Sequence, residues 1–208
     1  IRSLDNNLET FIEMADPVEY RKSIKSVKHE RSIGLGVMGY HGYLMSKGFP
    51  FESVPARGIN KKVFSNFGEL ARKASKRLGE ERGLPLDGGT QRNSYVTSIQ
   101  PTASTSFICG EASPCVEPIS GNAFLQKTLS GSFLVKNKFL ERLLEKKEMN
   151  KEEIWKEIVA AKGSVQHLNC LTDEEKAVFR TAYEMNMREI VEQAADRQPA
   201  DRGLEHSR

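Results

Sequence analysis

The sequence has no long hydrophobic run. None of its apolar stretches approaches the ~20 residues that a membrane-spanning helix needs, and no signal-peptide pattern is present. The 208 residues are 38% hydrophobic and include 16 glycines, an ordinary composition for a globular protein. This length allows one large domain or two small ones. We therefore expect a cytoplasmic protein with no membrane partner.

Cysteine and histidine are also scarce. The three cysteines, Cys109, Cys115 and Cys170, form no C-x-x-C, and the four histidines are scattered along the chain. An odd number of cysteines at these spacings matches neither a disulfide framework nor the ligand spacing of a zinc site. The sequence therefore predicts buried or idle thiols and no metal.

The chain lacks an excess of charge of one sign. Its 31 basic and 28 acidic residues leave a formal net charge of +3. The densest basic stretches, RKSIKSVKHER (21–31) and ARKASKRLGEER (71–82), are interleaved with acids or lie at helical spacing, which is typical of a solvated helix face. We expect no nucleic-acid partner.

Gly34, Gly36 and Gly39 have the G-x-G-x-x-G spacing of a dinucleotide-binding turn. Such a turn follows a buried strand, precedes a helix, and is completed by an acidic residue about 20 residues further on. The preceding segment, 23–34, is too charged for a buried strand, and 49–58 has two prolines and no β-branched run. We interpret the glycines as packing residues that let a strand and the following helix, within 32–47, approach closely.

Hydrophobic periodicity predicts several helices. One begins the chain, with Leu4, Leu8 and Phe11 on one face, and an amphipathic helix covers 59–82 and is closed by Gly83. A third covers NKFLERLLEKKE (137–148). Two capping boxes are expected to start the last helices, Asn150 with Glu153 and Thr172 with Glu175, and the second of these helices is predicted to run unbroken over 173–196.

Two segments are predicted to form β-strands. SYVTSIQ (94–100) alternates and is rich in β-branched residues, which predicts a strand. NAFLQKTLSGSFLVKN (122–137) predicts two short strands or a hairpin about Ser130-Gly131.

The hydroxyl-rich run after the first predicted strand is the most informative stretch. Pro101 ends the strand, and Thr102, Ala103, Ser104 and Thr105 open a short helix. The first turn of a helix has free N–H groups and a partial positive charge, so it binds phosphate without a cation. The hydroxyls add donors, and an ordinary N-cap would need only one of them. Residues 101–105 are therefore predicted to bind phosphate.

This run belongs to a series of ordered motifs. RSIGLGVMGYHGYLMSKGFPFES (31–53) is followed by RNSYVTSIQPTASTS (92–106) and GEASPCVEPISGNAFLQKTLSGSFLVKN (110–137). In this order they resemble the R-x-I-G-x-G-x-x-G, R-N-S, P-T-A-S-T, E-P and L-S-G-x-F-x-V-x-N segments of the large catalytic subunit of ribonucleotide reductase. The resemblance runs from about residue 1 to Pro199.

The resemblance implies an α/β fold that is part of the ten-stranded α/β barrel of ribonucleotide reductase, with many helices and a short hairpin. It implies a partial catalytic barrel domain over 1–199, followed by a divergent, disordered tail over 200–208. The substrate's diphosphate, or triphosphate in some classes, would lie on the N–H groups and hydroxyls of 102–105, with Pro101 shaping the turn. The glycine stretch would be part of the barrel and would bind no dinucleotide.

The resemblance also implies radical reduction of ribonucleotides to deoxyribonucleotides for DNA synthesis. In the family, a thiyl radical on the cysteine of an N-x-C-x-E motif starts the reaction, a cysteine pair reduces the substrate, and the glutamate acts as base. Cys109, Cys115 and Cys170 lie in no such motif, and Tyr95 and Tyr183 do not match the family's radical-relaying tyrosine pair. We therefore expect no catalytic residue and no bound cofactor in this chain.

Two hypotheses follow. In the first, the chain, which begins with Ile1 instead of Met, is an internal piece of a reductase catalytic subunit that is active only with its flanking segments. The parent enzyme would bind a ribonucleoside diphosphate, form a homodimer, and need a thiol reductant and a radical source, either a metal-containing small subunit or adenosylcobalamin. In the second, the chain is a non-catalytic nucleotide- or phosphate-binding module derived from the same fold.

The family-like apolar segments favour the first hypothesis. A stand-alone binding module would be expected to carry polar residues on the faces that the missing strands cover in the family. The allosteric ATP and nucleotide sites of the family lie mostly or wholly outside the matching region, so none is assigned to these residues.

Overall fold

The structure is a computed structural model that describes residues 1–110, 113–129 and 131–201. Over these residues the helices are α1 (Arg2–Met14), α2 (Arg21–Glu30), α3 (Tyr40–Ser46), α4 (Val54–Arg82), α5 (Ala103–Ile108), α6 (Lys138–Lys146), α7 (Glu152–Ala160), α8 (Asp173–Val178), a 3₁₀ helix (Ala182–Glu184) and α9 (Met187–Asp201). The strands are β1 (Ala123–Thr128) and β2 (Gly131–Lys136).

The chain divides into two compact units. Over the described residues, the first consists of residues 1–36, 60–100 and 195–201, and the second of residues 37–59 and 101–194. Residues 202–208 of the predicted tail lie outside the described residues, so the disorder of that tail stays a prediction.

In the first unit, α1 has the predicted helical face with an unpredicted charge at its centre. Leu4, Leu8 and Phe11 are half-buried, as the periodicity indicated. The buried residue of α1 is Asp5, which has no exposed surface. A polar side chain at a core position requires partners, and the sequence pattern alone does not reveal them.

Three arginines surround the Asp5 carboxylate. Arg31 and Arg82 each donate to it at 2.9 Å and Arg92 donates at 3.1 Å, while the side-chain amide of Asn93 donates at 3.3 Å. Burial raises the pKa of Asp5, but the hydrogen bonds from Arg31 and Arg92 and the charge of Arg31 outweigh burial and hold this pKa below its ordinary value. The R-N-S motif is therefore a structural junction that fixes α1.

Helix α4 confirms the predicted amphipathic helix and begins earlier than predicted. Pro55 lies in its first turn, where a missing N–H does no harm. Phe64, Ala71 and Leu78 are buried on one side, and Gly83 ends the helix with a left-handed φ of 85°. Neither α4 nor another helix in the described ranges is long and apolar enough to cross a membrane.

The predicted strand at 94–100 is wrong in extent. Among the described residues, this segment forms only an isolated parallel bridge, between Leu35 and Thr97. Ile33 N–H donates to the Tyr95 carbonyl at 3.0 Å, and Ser98 N–H donates to the Leu35 carbonyl at 3.1 Å. Strand pairing of this segment is thus limited to one residue pair, although the local sequence favours a longer strand.

In the second unit, β1 and β2 form the predicted hairpin. The strands pair antiparallel from Ala123 opposite Lys136 to Thr128 opposite Gly131. Ser130, the other residue of the predicted turn, lies outside the described residues. The hairpin leads directly into α6, whose N-cap Asn137 accepts a hydrogen bond from Phe139 N–H at 3.0 Å.

The second unit has one main hydrophobic core. It is built from the hairpin, α6, α7, α8 and the segments between them, around the fully buried Trp155 and Leu140. Its other buried members are Met45, Ala123, Leu144, Ile158, Val165, Leu168, Leu171, Val178 and Phe179.

Two predictions about the last helices are wrong and one is confirmed. Thr172 and Glu175 form the predicted capping box at the start of α8. Asn150 does not cap α7, because its side-chain oxygen accepts a hydrogen bond from the Trp155 indole N–H at 2.7 Å and the N-cap position falls to Lys151.

The single long helix predicted over 173–196 is broken. Helix α8 ends at Val178, and a second capping box, Thr181 with Glu184, starts the 3₁₀ helix before α9 begins. Thr181 N–H donates to the Glu184 carboxylate at 2.7 Å, which satisfies a backbone donor outside a helix. The apolar periodicity continues through this break and therefore did not reveal it.

Candidate phosphate-binding site

The predicted phosphate-binding residues lie at the start of α5, in the second unit. Pro101, Ala103, Ser104 and Thr105 are exposed, while Thr102 is half-buried. The structure thus confirms that a helix follows Pro101, and it places the hydroxyls of Ser104 and Thr105 on its exposed side.

The fourth hydroxyl of the run has a structural role. Ser106 is buried, and its hydroxyl donates to the Ala103 carbonyl at 2.9 Å. Its backbone N–H donates to the Thr102 carbonyl at 2.8 Å. Ser106 therefore stabilises the first turn of α5 from its buried side. The exposed side of this turn carries the residues before Ser106.

The Thr102 side chain contacts a neighbouring loop. Its hydroxyl oxygen accepts a hydrogen bond from the backbone N–H of Cys115 at 2.8 Å. Cys115 is buried and has a left-handed φ of 50°, an uncommon conformation for a residue other than glycine. The loop that follows α5 is thus joined to the start of the same helix.

The backbone N–H groups of Ala103, Ser104 and Thr105 donate no hydrogen bond to any other described residue. Where Ser or Thr is the N-cap of a helix, its hydroxyl usually accepts a hydrogen bond from one of the first-turn N–H groups. Here the Thr102 hydroxyl accepts from Cys115 and from no first-turn N–H in the described part of the chain. Three N–H groups and two exposed hydroxyls are therefore available to a ligand.

Helix α3 holds both ends of the described part of the loop, 113–119. Gly39 N–H donates to the Ser113 carbonyl at 2.7 Å, and Gly42 N–H donates to the Ser113 hydroxyl at 3.1 Å. At the other end, Ile119 N–H donates to Nδ1 of His41 at 3.1 Å. The loop that carries Cys115 is therefore fixed by backbone and buried side-chain contacts.

His41 is fully buried and uncharged. Burial lowers its pKa to about 3, with a smaller opposing effect of the Val178 backbone. Because Nδ1 accepts from Ile119, the proton of the neutral ring is on Nε2. Sequence reasoning missed this residue because a single histidine within an apolar stretch gives no specific signal.

The inner side of α5 borders a cavity of about 280 Å³ in the second unit. Ala103 and Ser106 form part of its wall, together with Phe124 of the hairpin and Gly42 of α3. Asn122 also lines the cavity, but its amide is committed to the carbonyls of neighbouring segments. Helix α5 thus lies between an exposed side with the Ser104 and Thr105 hydroxyls and an inner side that borders this cavity.

Two asparagines connect the hairpin to the core. Asn137, the last residue of the L-S-G-x-F-x-V-x-N motif, donates to Asn122 Oδ1 at 2.8 Å. Asn122 donates to the carbonyls of Gly163 at 3.0 Å and Phe179 at 2.7 Å. These buried amides satisfy backbone groups and each other, so Asn137 and Asn122 support the architecture around the site.

The structure supports a packing role for the glycine motif and corrects the packing partner. Helix α2, not a strand, precedes the motif. A Cβ on Gly34 would lie 2.5 Å from Ser98 Oγ, and one on Gly36 would lie 3.0 Å from the Ser98 carbonyl oxygen. The close approach is therefore to the segment at 98–100, and not to the following helix. Gly39, with a φ of 81°, is the N-cap of α3.

The three cysteines are free thiols. Cys109 is exposed, Cys115 is buried and Cys170 is half-buried. In the described ranges no three His, Cys, Asp or Glu side chains are grouped so as to hold a metal ion. The geometry around α5 therefore suits anion binding through N–H and O–H donors, without a cation.

Comparisons with known proteins agree with this architecture. The family model of the ribonucleotide reductase barrel domain matches residues 1–88 and 87–200. The ribonucleoside-diphosphate reductase large subunit of Invertebrate iridescent virus 3 is 44% identical over 200 residues, covering 94% of this chain and 32% of that protein. The corresponding protein of Invertebrate iridescent virus 6 is 45% identical over 201 residues, covering 94% of this chain and 21% of that protein.

A solved structure of a ribonucleotide reductase also matches this chain. The alpha subunit of the class Id ribonucleotide reductase of Actinobacillus ureae matches with a TM-score of 0.85 and 39% identity, covering 95% of this chain and 36% of that chain. The chain belongs to the ribonucleotide reductase barrel-domain family, and its fold is part of the α/β barrel of that family. It spans about a third or less of the length of these relatives.

Proposed function

We propose that the chain is part of the catalytic large subunit of a ribonucleoside-diphosphate reductase and supplies the site that binds the substrate's diphosphate. The two viral relatives described above are named ribonucleoside-diphosphate reductase large subunits, which favours a diphosphate over a triphosphate substrate. The observation that carries the site is the open first turn of α5, where three N–H groups and the hydroxyls of Ser104 and Thr105 face outward.

The binding chemistry depends on donors alone. A diphosphate offers several anionic oxygens, and each accepts strong hydrogen bonds from N–H and O–H groups. Ala103 has a small side chain directly before the two hydroxyl-bearing positions, so a phosphate oxygen can approach the backbone closely. The partial positive charge of the helix start adds to this attraction.

The proposal assigns the reacting groups to parts of the subunit that this chain does not match. None of Cys109, Cys115 and Cys170 lies in an N-x-C-x-E motif. The chain itself would therefore bind no cofactor and would need the rest of the large subunit. The parent enzyme would work as a homodimer in the cytoplasm and use a thiol reductant, with a metal-containing small subunit as its radical source, since the relatives are large subunits. Adenosylcobalamin is the alternative radical source.

A complementation experiment tests this proposal. The 208-residue chain would be supplied with the segments of a large subunit that it does not span, together with a small subunit and a dithiol, and the reduction of cytidine diphosphate would be measured. We expect turnover from the assembled protein and none from the chain alone, which we also expect to associate through exposed strand edges. Turnover by the chain alone would contradict the proposal.

The second candidate is a non-catalytic phosphate-binding module of the same fold. The absence of the family's radical-cysteine motif from the sequence allows either candidate. The second candidate predicts that the chain alone is monodisperse and binds cytidine diphosphate, and that supplying the other segments gives no turnover.

A further inference from the structure

The cavity of about 280 Å³ in the second unit has no role in the proposed function. Helix α5 contributes Ala103 and Ser106 to its wall, whereas the side chains of Ser104 and Thr105 do not line it. An apolar cavity of ~150 Å³ is large enough to hold one benzene ring. The cavity of this chain therefore has room for a molecule of about two fused rings.

One face of the hairpin forms part of the cavity wall. Side chains alternate along a strand, so Phe124 and Gln126 of β1 share a face, and Val135 of β2 lies directly opposite Phe124. All three residues line the cavity. Leu125 and Lys127 lie on the other face and do not line it. The alternation of β1 thus places one amide among apolar side chains.

Several polar groups of the wall already have partners within the protein. The Asn122 amide donates to two backbone carbonyls, and the Asn137 amide donates to Asn122 at 2.8 Å and to the Met45 sulfur at 3.1 Å. The Ser106 hydroxyl donates to the Ala103 carbonyl at 2.9 Å. The donors of these three side chains are therefore occupied.

Lys136 is the one charged residue among the described residues that line the cavity. Its Nζ lies 3.6 Å from the Glu141 carboxylate and 5.0 Å from the centre of the Trp155 ring. Both neighbours attract the ammonium group, so its charge already has partners. The electrostatics of the wall therefore favour a neutral ligand over an anion.

Two side chains of the wall keep hydrogen-bonding groups without a partner in the described part of the chain. Ser113 is buried, and its oxygen accepts from Gly42 N–H at 3.1 Å, but its O–H donates to no described residue. The half-buried Gln126 amide makes no side-chain hydrogen bond to a described residue. A buried donor is unfavourable until it finds an acceptor. These groups require a ligand with an acceptor and a donor.

We propose that this cavity binds a neutral, planar, fused-ring lactam, whose rings contact Phe124 and Val135 and whose polar edge pairs with Ser113 and Gln126. This site goes beyond the proposed function and does not depend on it. A lactam has a C=O acceptor beside an N–H donor. The C=O accepts from the Ser113 hydroxyl or the Gln126 amide, and the N–H donates to Gln126 Oε1.

A bound lactam would connect two parts of the second unit. Ser113 is held by α3 through the N–H groups of Gly39 and Gly42, whereas Gln126 belongs to the hairpin. A two-stranded sheet is only marginally stable on its own. Ligand binding should therefore slow hydrogen exchange at the amides of β1 and β2.

Two matched probes test the proposal on the unmodified 208-residue chain. Quinazolin-4-one is a neutral bicyclic lactam, and 3-methylquinazolin-4-one has the same rings with the N–H blocked. We expect the first to bind with a Kd of about 0.1–1 mM, which is ordinary for a ligand of this size. The second should bind about 3- to 10-fold more weakly, because one neutral hydrogen bond is lost. Saturation-transfer NMR measures both affinities, and amide hydrogen exchange reports the hairpin.

Two further probes define the ligand class. Hypoxanthine presents the same lactam edge on a purine, so affinity equal to that of quinazolin-4-one would support the proposal with a nucleobase as the ligand. Weaker binding of hypoxanthine than of quinazolin-4-one would support it with a more apolar lactam. 2-Naphthoate is the anionic control. If it bound as tightly as quinazolin-4-one, Lys136 would determine recognition and the proposal of a neutral ligand would be overturned.

Three variants locate the binding site. Gln126→Leu removes the amide at similar size and should weaken quinazolin-4-one about 3- to 10-fold. Lys127→Leu is the matched control on the other face of β1, and its affinity should stay within about 2-fold of the unmodified chain. Val135→Phe should fill the cavity and abolish binding of both quinazolinones.

Three results would overturn the proposal. The first is that quinazolin-4-one does not bind the unmodified chain, and the second is that the two quinazolinones bind equally. Neither result depends on the folding of a variant. The third is an equal effect of Gln126→Leu and Lys127→Leu on the affinity for quinazolin-4-one, which would place the ligand outside the cavity.

Discussion

Nδ1 of His41 accepts the backbone N–H of Ile119 at 3.1 Å, in a fully buried position of the second unit. This bond fixes one end of the described loop segment 113–119, whose Cys115 N–H in turn binds Thr102 at the candidate site. The site is therefore supported by a histidine that no sequence motif identifies. The bond also requires that the imidazole stay neutral, since a protonated Nδ1 cannot accept.

The first prediction concerns pH. The pKa of His41 is lowered from 6.5 to about 3 in the folded protein, so below pH 6.5 the unfolded state binds one more proton than the folded state. Stability is fully present above pH 6.5 and falls by up to about 1.4 kcal/mol per pH unit as the pH decreases toward 3. Denaturant unfolding at pH 6.5, 5.5 and 5.0 measures this slope.

The control for this prediction is His41→Asn. The amide oxygen of asparagine can accept the Ile119 N–H from the place of Nδ1, and asparagine does not titrate. The variant should lose the pH dependence of this step even if its absolute stability is lower. Asp5, whose pKa is also lowered, contributes only near and below its ordinary value of 3.8 and does not disturb this range. An unchanged slope in the variant would show that His41 is not the titrating group.

The second prediction concerns the Asp5 cluster. Asp5→Asn removes the charge that three arginines share at a fully buried position, and we expect a loss of about 3 kcal/mol in the free energy of unfolding. Glu81→Gln is the matched control, because Glu81 pairs with Arg2 where both side chains are 40% or more exposed. This exposed pair should contribute less than about 1 kcal/mol. Similar losses in both variants would contradict the structural role given to Asp5.

The third prediction concerns the glycine motif. Gly36→Ala places a Cβ 2.8 Å from the Gln100 side chain and 3.0 Å from the Ser98 carbonyl, so we expect it to lower stability by about 1–3 kcal/mol. Gly58→Ala, in α4 with no heavy atom within 4 Å of the added carbon, should raise stability by about 0.5–1 kcal/mol. Thermal unfolding compares the two.

The same measurement tests whether the motif binds a dinucleotide. A ligand that binds the folded state raises its melting temperature by mass action. We expect no shift with NAD at millimolar concentration. A clear NAD-dependent shift that Gly36→Ala abolished would show that the packing interpretation is wrong.

The features that local chemistry determines could be predicted from the sequence. The hairpin, α4 and the Thr172–Glu175 box depend on residues close together in the chain, and the structure has all three. Asn150 has equally good local signals for a cap, but the Trp155 indole competes for its side chain. The break before Thr181 was predictable in principle, since Thr181 and Glu184 repeat the capping-box pattern within the apolar periodicity.

In the candidate site too, the features that depend on neighbouring residues were predictable, and those that depend on distant contacts were not. Short-range chemistry placed the predicted phosphate-binding residues at the start of a helix, and the structure has that helix. The Thr102–Cys115 bond and the burial of His41 depend on contacts between segments 13 and 78 residues apart in sequence. Periodicity and motif spacing do not contain such contacts, so the roles of Thr102, Cys115 and His41 emerged only from the structure.

Calorimetric titration of cytidine diphosphate into the Ala103→Asp variant tests the central claim most directly. Ala103 is the first residue of α5, where an acidic side chain is favourable for folding by about 0.3–1 kcal/mol but occupies the place of the phosphate. The variant, in the chain supplied with the remaining large-subunit segments, should unfold at an equal or higher temperature and show no measurable binding. Ser104→Ala and Thr105→Ala should each weaken binding about 10- to 150-fold, the loss of one hydrogen bond to a charged group. Unchanged affinity in Ala103→Asp would contradict the assignment of residues 101–105 as the phosphate-binding site.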